Sequence, residues 1–222
     1  DKIAEVVRNG QGVAYKVGSE KEVEVDGLNY TVRVANNTTP SECNQSGFSE
    51  TCCGFVVEFV DILEKRVMND TNTNVGGWPA CAARTYANGE FLKKLPSDLQ
   101  RNIIDTKAIS GYGYDDSNNF TSIDKIYLLS LHEVYENGSD NKISTYDRAY
   151  NYTRQLDYYA LKKITSKNYS EVSKYYNGTY TVALLRTANK GNSSRFFLIQ
   201  NNGIYDGNAN QNHGFAPAFR IG

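Results

Sequence analysis

The chain has 222 residues, enough for one domain with a real core. Its 24 Lys and Arg against 25 Asp and Glu give a net charge of -1, which argues against a general basic footprint for nucleic acid. Mean hydropathy is -0.56, no apolar run is long enough to span a bilayer or form a signal-peptide core, and the unusual content is polar: 24 Asn, 17 Tyr and 18 Gly, against 2 His and 1 Met.

Residues 1–9 place Ile3, Val6 and Val7 on one helical face, with Gly10 as the stop. A hairpin follows: Val23 and Val25 alternate with Glu22 and Glu24, Asp26-Gly27 is a turn pair, and Leu28, Tyr30, Val32 and Val34 alternate on the return. Residues 35–53 are a polar loop. Residues 54–60 read as a strand, after which Asp61 is expected to cap a short helix reaching Met68. The segment 69–77 (NDTNTNVGG) is turn-forming throughout. Trp78-Pro79 opens a helix expected to run to Tyr86 and end at Asn88-Gly89. Pro96-Ser97-Asp98 starts another, with Leu99, Ile103 and Ile104 inward. Residues 111–122 read as loop and 126–129 as a buried strand; Ser130 and Glu133 form a capping box. Residues 136–145 are loop again. Helical spacing is then expected over 146–164, within a stretch (146–180) that holds nine of the tyrosines. The end reads as a meander over 180–186, 195–200, 204–205 and 215–221, with Pro217 at a bulge or an edge. The pattern predicts a single α+β domain over 1–222.

The four cysteines, Cys43, Cys52, Cys53 and Cys81, allow three pairings. A vicinal bridge is strained, so bridges are expected to run from the 52–53 pair to Cys43 and Cys81. No CxxC pair suggests zinc. The chain starts at Asp1 rather than Met, as a processed protein or a fragment would. Asn-x-Ser/Thr sequons such as Asn36, Asn44, Asn119, Asn137 and Asn177 follow from composition and are read as unused. His132 sits in the capping box as a satisfied side chain, whereas His213, in a loop beside Gly214, suits ligand contact. No nucleophile elbow, P-loop, dinucleotide fingerprint or HExxH is present. Acidic loops at Asp115-Asp116 and Asp140 lack EF-hand spacing. No cofactor is expected, with calcium as the one possible ion. Trp78, Arg84, Arg186 and Arg220 are read as scaffold.

The stretch 187–213 (TANKGNSSRFFLIQNNGIYDGNANQNH) differs in kind. Short apolar strands are framed by Asn, Ser and Gly, which hydrogen-bond adaptably, and by Tyr and Phe, which give stiff contact area; paratopes use this chemistry.

Five patches also stand in a characteristic order: Gly76-Gly77-Trp78 with Arg84 and Asn88-Gly89; Leu95-Pro96-Ser97-Asp98-Leu99-Gln100; Asp124 to Ser130 with Glu133-Val134; Leu185-Arg186-Thr187; and Asn202-Gly203 followed by 214–221 (GFAPAFRI). Over roughly 15–222 this order resembles an uncharacterised domain family of bacterial and phage surface proteins. The closing segment resembles the variable proteins of diversity-generating retroelements, which display hypervariable residues on a C-type lectin-like fold. In those systems template adenines are randomised, often in Asn codons. Asn189, Asn192, Ser193, Phe197, Tyr205, Asp206, Asn208, Asn212 and His213 are compatible with such codons; Lys190 and Gln211 are not. One departure is that Ala183-Leu184 stands where family members often carry an aromatic before Leu-Arg. The resemblance implies a non-enzymatic display domain on a virion or cell surface. It would bind a cell-surface protein or glycan through those nine residues, without nucleic acid or membrane insertion. A fixed-specificity, calcium-assisted adhesin is the alternative, and a lectin-fold enzyme of the formylglycine-generating type is the least favoured.

Overall fold

The computed structural model describes residues 2–169 and 171–222. The first helix, Lys2–Arg8, stops as expected before Gly10. Strands β1 (Glu20–Val25) and β2 (Leu28–Asn36) pair antiparallel, with Val25 opposite Leu28. Asp26 and Gly27 alone connect them, at φ of 53° and 81°. Two consecutive left-handed residues give a turn whose twist matches that of the strands.

Next come β3 (Val56–Phe59) and β4 (Glu64–Arg66). The helix expected from Asp61 to Met68 does not form. Asp61 instead accepts the Tyr175 N–H at 3.0 Å, and residues 64–66 pair with a C-terminal strand. Helices Gly77–Ala80 and Ala82–Tyr86 continue through a wider turn, Ala87–Phe91, into Leu92–Lys94. Asn88 therefore does not end the helix. Its side chain reaches across to the 125–126 backbone, donating to Ile126 O at 2.9 Å and accepting from Lys125 N at 2.8 Å. Helix Ser97–Asn102 forms but ends before Ile103 and Ile104; Ile103 is extended and bridges Ile221.

Strands β5 (Thr106–Ser110) and β6 (Phe120–Asp124) make a hairpin that local patterning did not announce. β7 (Ile126–Tyr127) leads into helix Leu131–Val134, which carries the expected capping box. The long helical reading of 146–164 is corrected to short pieces: Lys142–Tyr146, a 3-10 turn at Tyr150–Tyr152, and Asp157–Leu161. Long-range partners override the helical period between them. Thr153 Oγ1 donates to Glu133 at 2.9 Å, and Gln155 donates to both Val134 O and Ile164 O.

The C-terminal strands are β8 (Tyr175–Tyr176), β9 (Thr179–Tyr180), β10 (Ala183–Ala188), β11 (Arg195–Ile199), β12 (Tyr205–Asn208), β13 (His213–Phe215) and β14 (Ala218–Arg220). The strands form two five-stranded sheets, β1-β2-β3-β14-β7 and β12-β11-β10-β13-β4, with separate β5-β6 and β8-β9 hairpins. Among the described residues the named strands pair antiparallel except β10 with β13, and outside them Glu136 and Thr165 make a parallel bridge. The architecture is α+β. Pro217 lies where the chain leaves the second sheet for the first, and its carbonyl accepts Phe59 N–H at 3.0 Å. It marks a crossover rather than a bulge or an edge. Phe91 stands edge-on to Phe59 of the first sheet and to Phe215 of the second, so one aromatic cluster joins the sheets.

Candidate functional site

β10 and β11 are joined by a polar turn over residues 189–194. The carbonyls of this turn are gathered from outside by one side chain. Asn74, fully buried in the 69–77 loop, aims its Nδ2 at the carbonyls of Asn189, Asn192 and Arg195, each at 2.9 Å. Its backbone N–H donates to Ser193 O at 2.7 Å. Three acceptors around one atom identify that atom as the amide nitrogen. The next turn, after β12, is tied to the same place: Ala209 N donates to Ser194 O, and Ala209 O accepts from Met68 N and Asn69 N. The two turns and the loop thus form a platform fixed through the main chain.

The nine residues expected to contact ligand are distributed unevenly over this platform. Asn189 donates its side-chain amide to Asp206, which also accepts from Arg195 Nη1 at 2.9 Å. Asn192 Oδ1 accepts from Ser194 N and Oγ, shaping the turn locally. Ser193 and Asn208 are half-exposed, and Asn212 is exposed. Tyr205 is 49% exposed. Phe197 is 4% exposed and stacks on Tyr146 with centroids 5.4 Å apart, so its ring packs the core and offers no contact area.

The register also divides the set. Arg195 opposes Asn208 and Phe197 opposes Asp206, so these four share one face of the sheet. Tyr205 and Gly207 point to the other. His213 lies with them: a Cβ on Gly207 would stand 2.5 Å from His213 Nε2. Only glycine admits this ring, and burial lowers the His213 pKa.

Behind the platform lies a charged core. Arg186 donates to Glu133 through both terminal nitrogens, at 2.5 and 2.6 Å, and to Leu128 O at 2.7 Å. Both side chains are fully buried. Burial pushes the Glu133 carboxyl up, but the Arg186 charge and hydrogen bonds, with that from Thr51, hold it below its ordinary value. Trp78 Nε1 and Arg84 Nε converge on Asp124, at 3.0 and 2.6 Å. Arg220 pairs with Glu50 at 3.3 Å. The four scaffold residues therefore serve packing and ion pairing. His132 is buried between Tyr150 O and Glu136, as expected of a satisfied histidine.

Cys43 and Cys53 form a disulfide, while Cys52 and Cys81 are buried thiols. The 52–53 pair thus makes one bridge, to Cys43, and Cys81 makes none. Among the described residues no group of three or more His, Cys, Asp or Glu stands ready to hold a metal ion, and none of the helices is long and apolar enough to cross a membrane. The Asp140 carboxylate already faces Lys142, Lys167 and Ser166, and Asp116 accepts from Gly76 N.

Sequence reasoning missed Asn74. It sits among several turn-forming residues, and nothing local distinguishes it from Asn72 or Asn69. Residues 56–222, about three quarters of the chain, match a family described as a Domain of unknown function (DUF6273). No curated protein and no solved structure matches the chain.

Proposed function

The chain belongs to the DUF6273 family, and we propose that it is a ligand-binding display domain that recognises a cell-surface protein or glycan without turning it over. One observation carries this reading. The 189–194 turn is anchored to the 69–77 loop through main-chain carbonyls on Asn74, and of its own side chains only Asn189 and Asn192 help to shape it among the described residues. Most side chains there can change while the turn keeps its shape, which is what a diversified surface requires. The adaptable polar contacts come from Asn192, Ser193, Asn208 and Asn212, and the stiff contact area from Tyr205. Asn189 and Asp206 brace the platform. The C-type lectin-like fold is part of the proposal, supported by antiparallel sheets combined with short helices and long loops. A virion or extracellular surface is the proposed location, supported by the Cys43–Cys53 disulfide.

The test replaces Asn192, Ser193, Tyr205, Asn208 and Asn212 together by Ala. Labelled parent and variant proteins are compared on an array of bacterial surface glycans and on a panel of intact bacterial cells. The parent binds at least one probe; the variant keeps its melting temperature within a few degrees and loses that binding. Retained binding, or global unfolding of the variant, sinks the reading. A near-identical repeat of the C-terminal coding segment beside a reverse transcriptase gene, differing only at adenines, separates a diversified domain from an adhesin of fixed specificity.

A further inference from the structure

The first sheet ends in an edge strand, β1, whose residues 20–24 have no further strand beside them among the described residues; its end at Val25 is buried, next to Asp26 N–H on Lys94 O. β1 is paired with β2 on one side only. Among the described residues, 20–25 make no backbone hydrogen bond outside that ladder. Beside this edge opens a cleft of about 410 Å³, within the range of natural ligand sites. Its floor is the apolar face of the sheet, with Val32, Val34, Val57 and Ile221. Its walls are Ile3 of the first helix and Leu99 of helix Ser97–Asn102. The register puts Lys21 and Val23 on this same face, opposite Val32 and Tyr30.

The opposite face of β1 carries Glu20, Glu22 and Glu24, all exposed. Glu22 and Glu24 oppose Thr31 and Asn29, and the Arg33 opposite Glu20 is bound to Glu58 at 2.9 Å. None of the three glutamates has an ion-pair partner among the described residues.

We infer that β1 and its cleft bind an extended peptide segment of a partner protein that alternates basic and apolar residues, added to the sheet as a further strand. Strand addition satisfies the open backbone groups of β1. Period-two alternation then sets basic side chains beside the three glutamates and apolar ones beside Val23 over the cleft. A second copy of this chain does not fit. Antiparallel pairing of β1 with itself either sets glutamate against glutamate or, one residue out of register, turns all three glutamates of each copy toward the other's cleft face, where β1 offers the single cation Lys21. The strands β1 and β2 precede the residues matched to the family, whereas Val57, Leu99 and Ile221 of the cleft lie within them.

The probe is a fluorescein-labelled octapeptide of alternating lysine and valine, titrated with the full chain and followed by fluorescence anisotropy. Binding saturates, weakens with salt, and falls by about tenfold in the Glu22→Lys/Glu24→Lys double variant. A glutamate–valine octapeptide does not bind, nor does the lysine–valine peptide methylated at every backbone amide. The Glu22→Gln/Glu24→Gln variant replaces the lysine one if the latter's melting temperature has dropped. Absence of binding by the lysine–valine peptide, equal binding of the acidic or methylated peptide, or unchanged affinity in the double variant overturns the inference.

Discussion

Arg186 on β10 and Arg195 on β11 each pair with a carboxylate, yet the two pairs occupy opposite settings. The Arg186–Glu133 side chains are both 0% exposed, whereas those of Arg195 and Asp206 are 43% and 20% exposed. The inner pair is surrounded by fixed partners: Leu128 O, Ile109 O, Thr51 and Thr153 all join it. Among the described residues the outer pair is shared with Asn189, and Arg195 is partly exposed. A buried charge that loses its partner stays buried and unpaired; an exposed one is rehydrated. Strands of one hairpin therefore carry an ion pair that must not change and an ion pair that can. That contrast, more than composition, separates scaffold from the proposed display surface.

Three measurements sharpen it. The largest effect belongs to Arg186→Met, which leaves Glu133 without its cation. Urea unfolding at neutral pH is expected to show a loss of about 3–5 kcal/mol. The pH dependence carries the sign. In the parent, Glu133 has a folded pKa below the unfolded value of 4.5. Its contribution is complete above pH 4.5 and fades as pH falls through the folded value. In the variant, burial without Arg186 raises the carboxyl, so the two proteins converge in stability as the pH drops. A gap that stays constant from pH 7 to pH 4 would mean that the pair is not electrostatic in origin.

Asn74→Ala is intermediate. Three turn carbonyls lose a buried donor, with an expected cost of about 1–3 kcal/mol. Hydrogen exchange is expected to speed up in residues 189–195 more than in β5 or β6. Uniform exchange across the chain would show that Asn74 does not anchor the turn. Asp206→Asn is the smallest. Solvent screens the Arg195 contact, so thermal unfolding is expected to register less than about 1 kcal/mol. A larger loss would move this pair into the scaffold and shrink the proposed display surface.

Local chemistry made several elements legible. Asp26-Gly27 announced its hairpin, because two left-handed residues leave few other conformations open to the chain. Ser130 and Glu133 announced their capping box, because both partners lie within one turn. Elements set by distant partners were not legible. Residues 64–66 became a strand because β13 offered an edge, and 146–164 broke into short helices because Glu133, Val134 and Ile164 claimed its side chains. The same limit applied at the candidate site. Tyr205, Asn208 and Asn212 were chosen by residue type and do reach solvent, while Phe197 met the same criterion and went into the core against Tyr146.

The sequence by itself determined the α+β class, the near-zero charge, the chemistry of the 187–213 stretch and the family order of its motifs, since each is a property of residue types and their spacing. Tertiary structure alone decided which face each of those residues takes, that a single buried asparagine gathers the carbonyls of their turn, and that an acidic edge strand borders an apolar cleft. Those depend on which backbone groups remain unpaired once the sheets have closed.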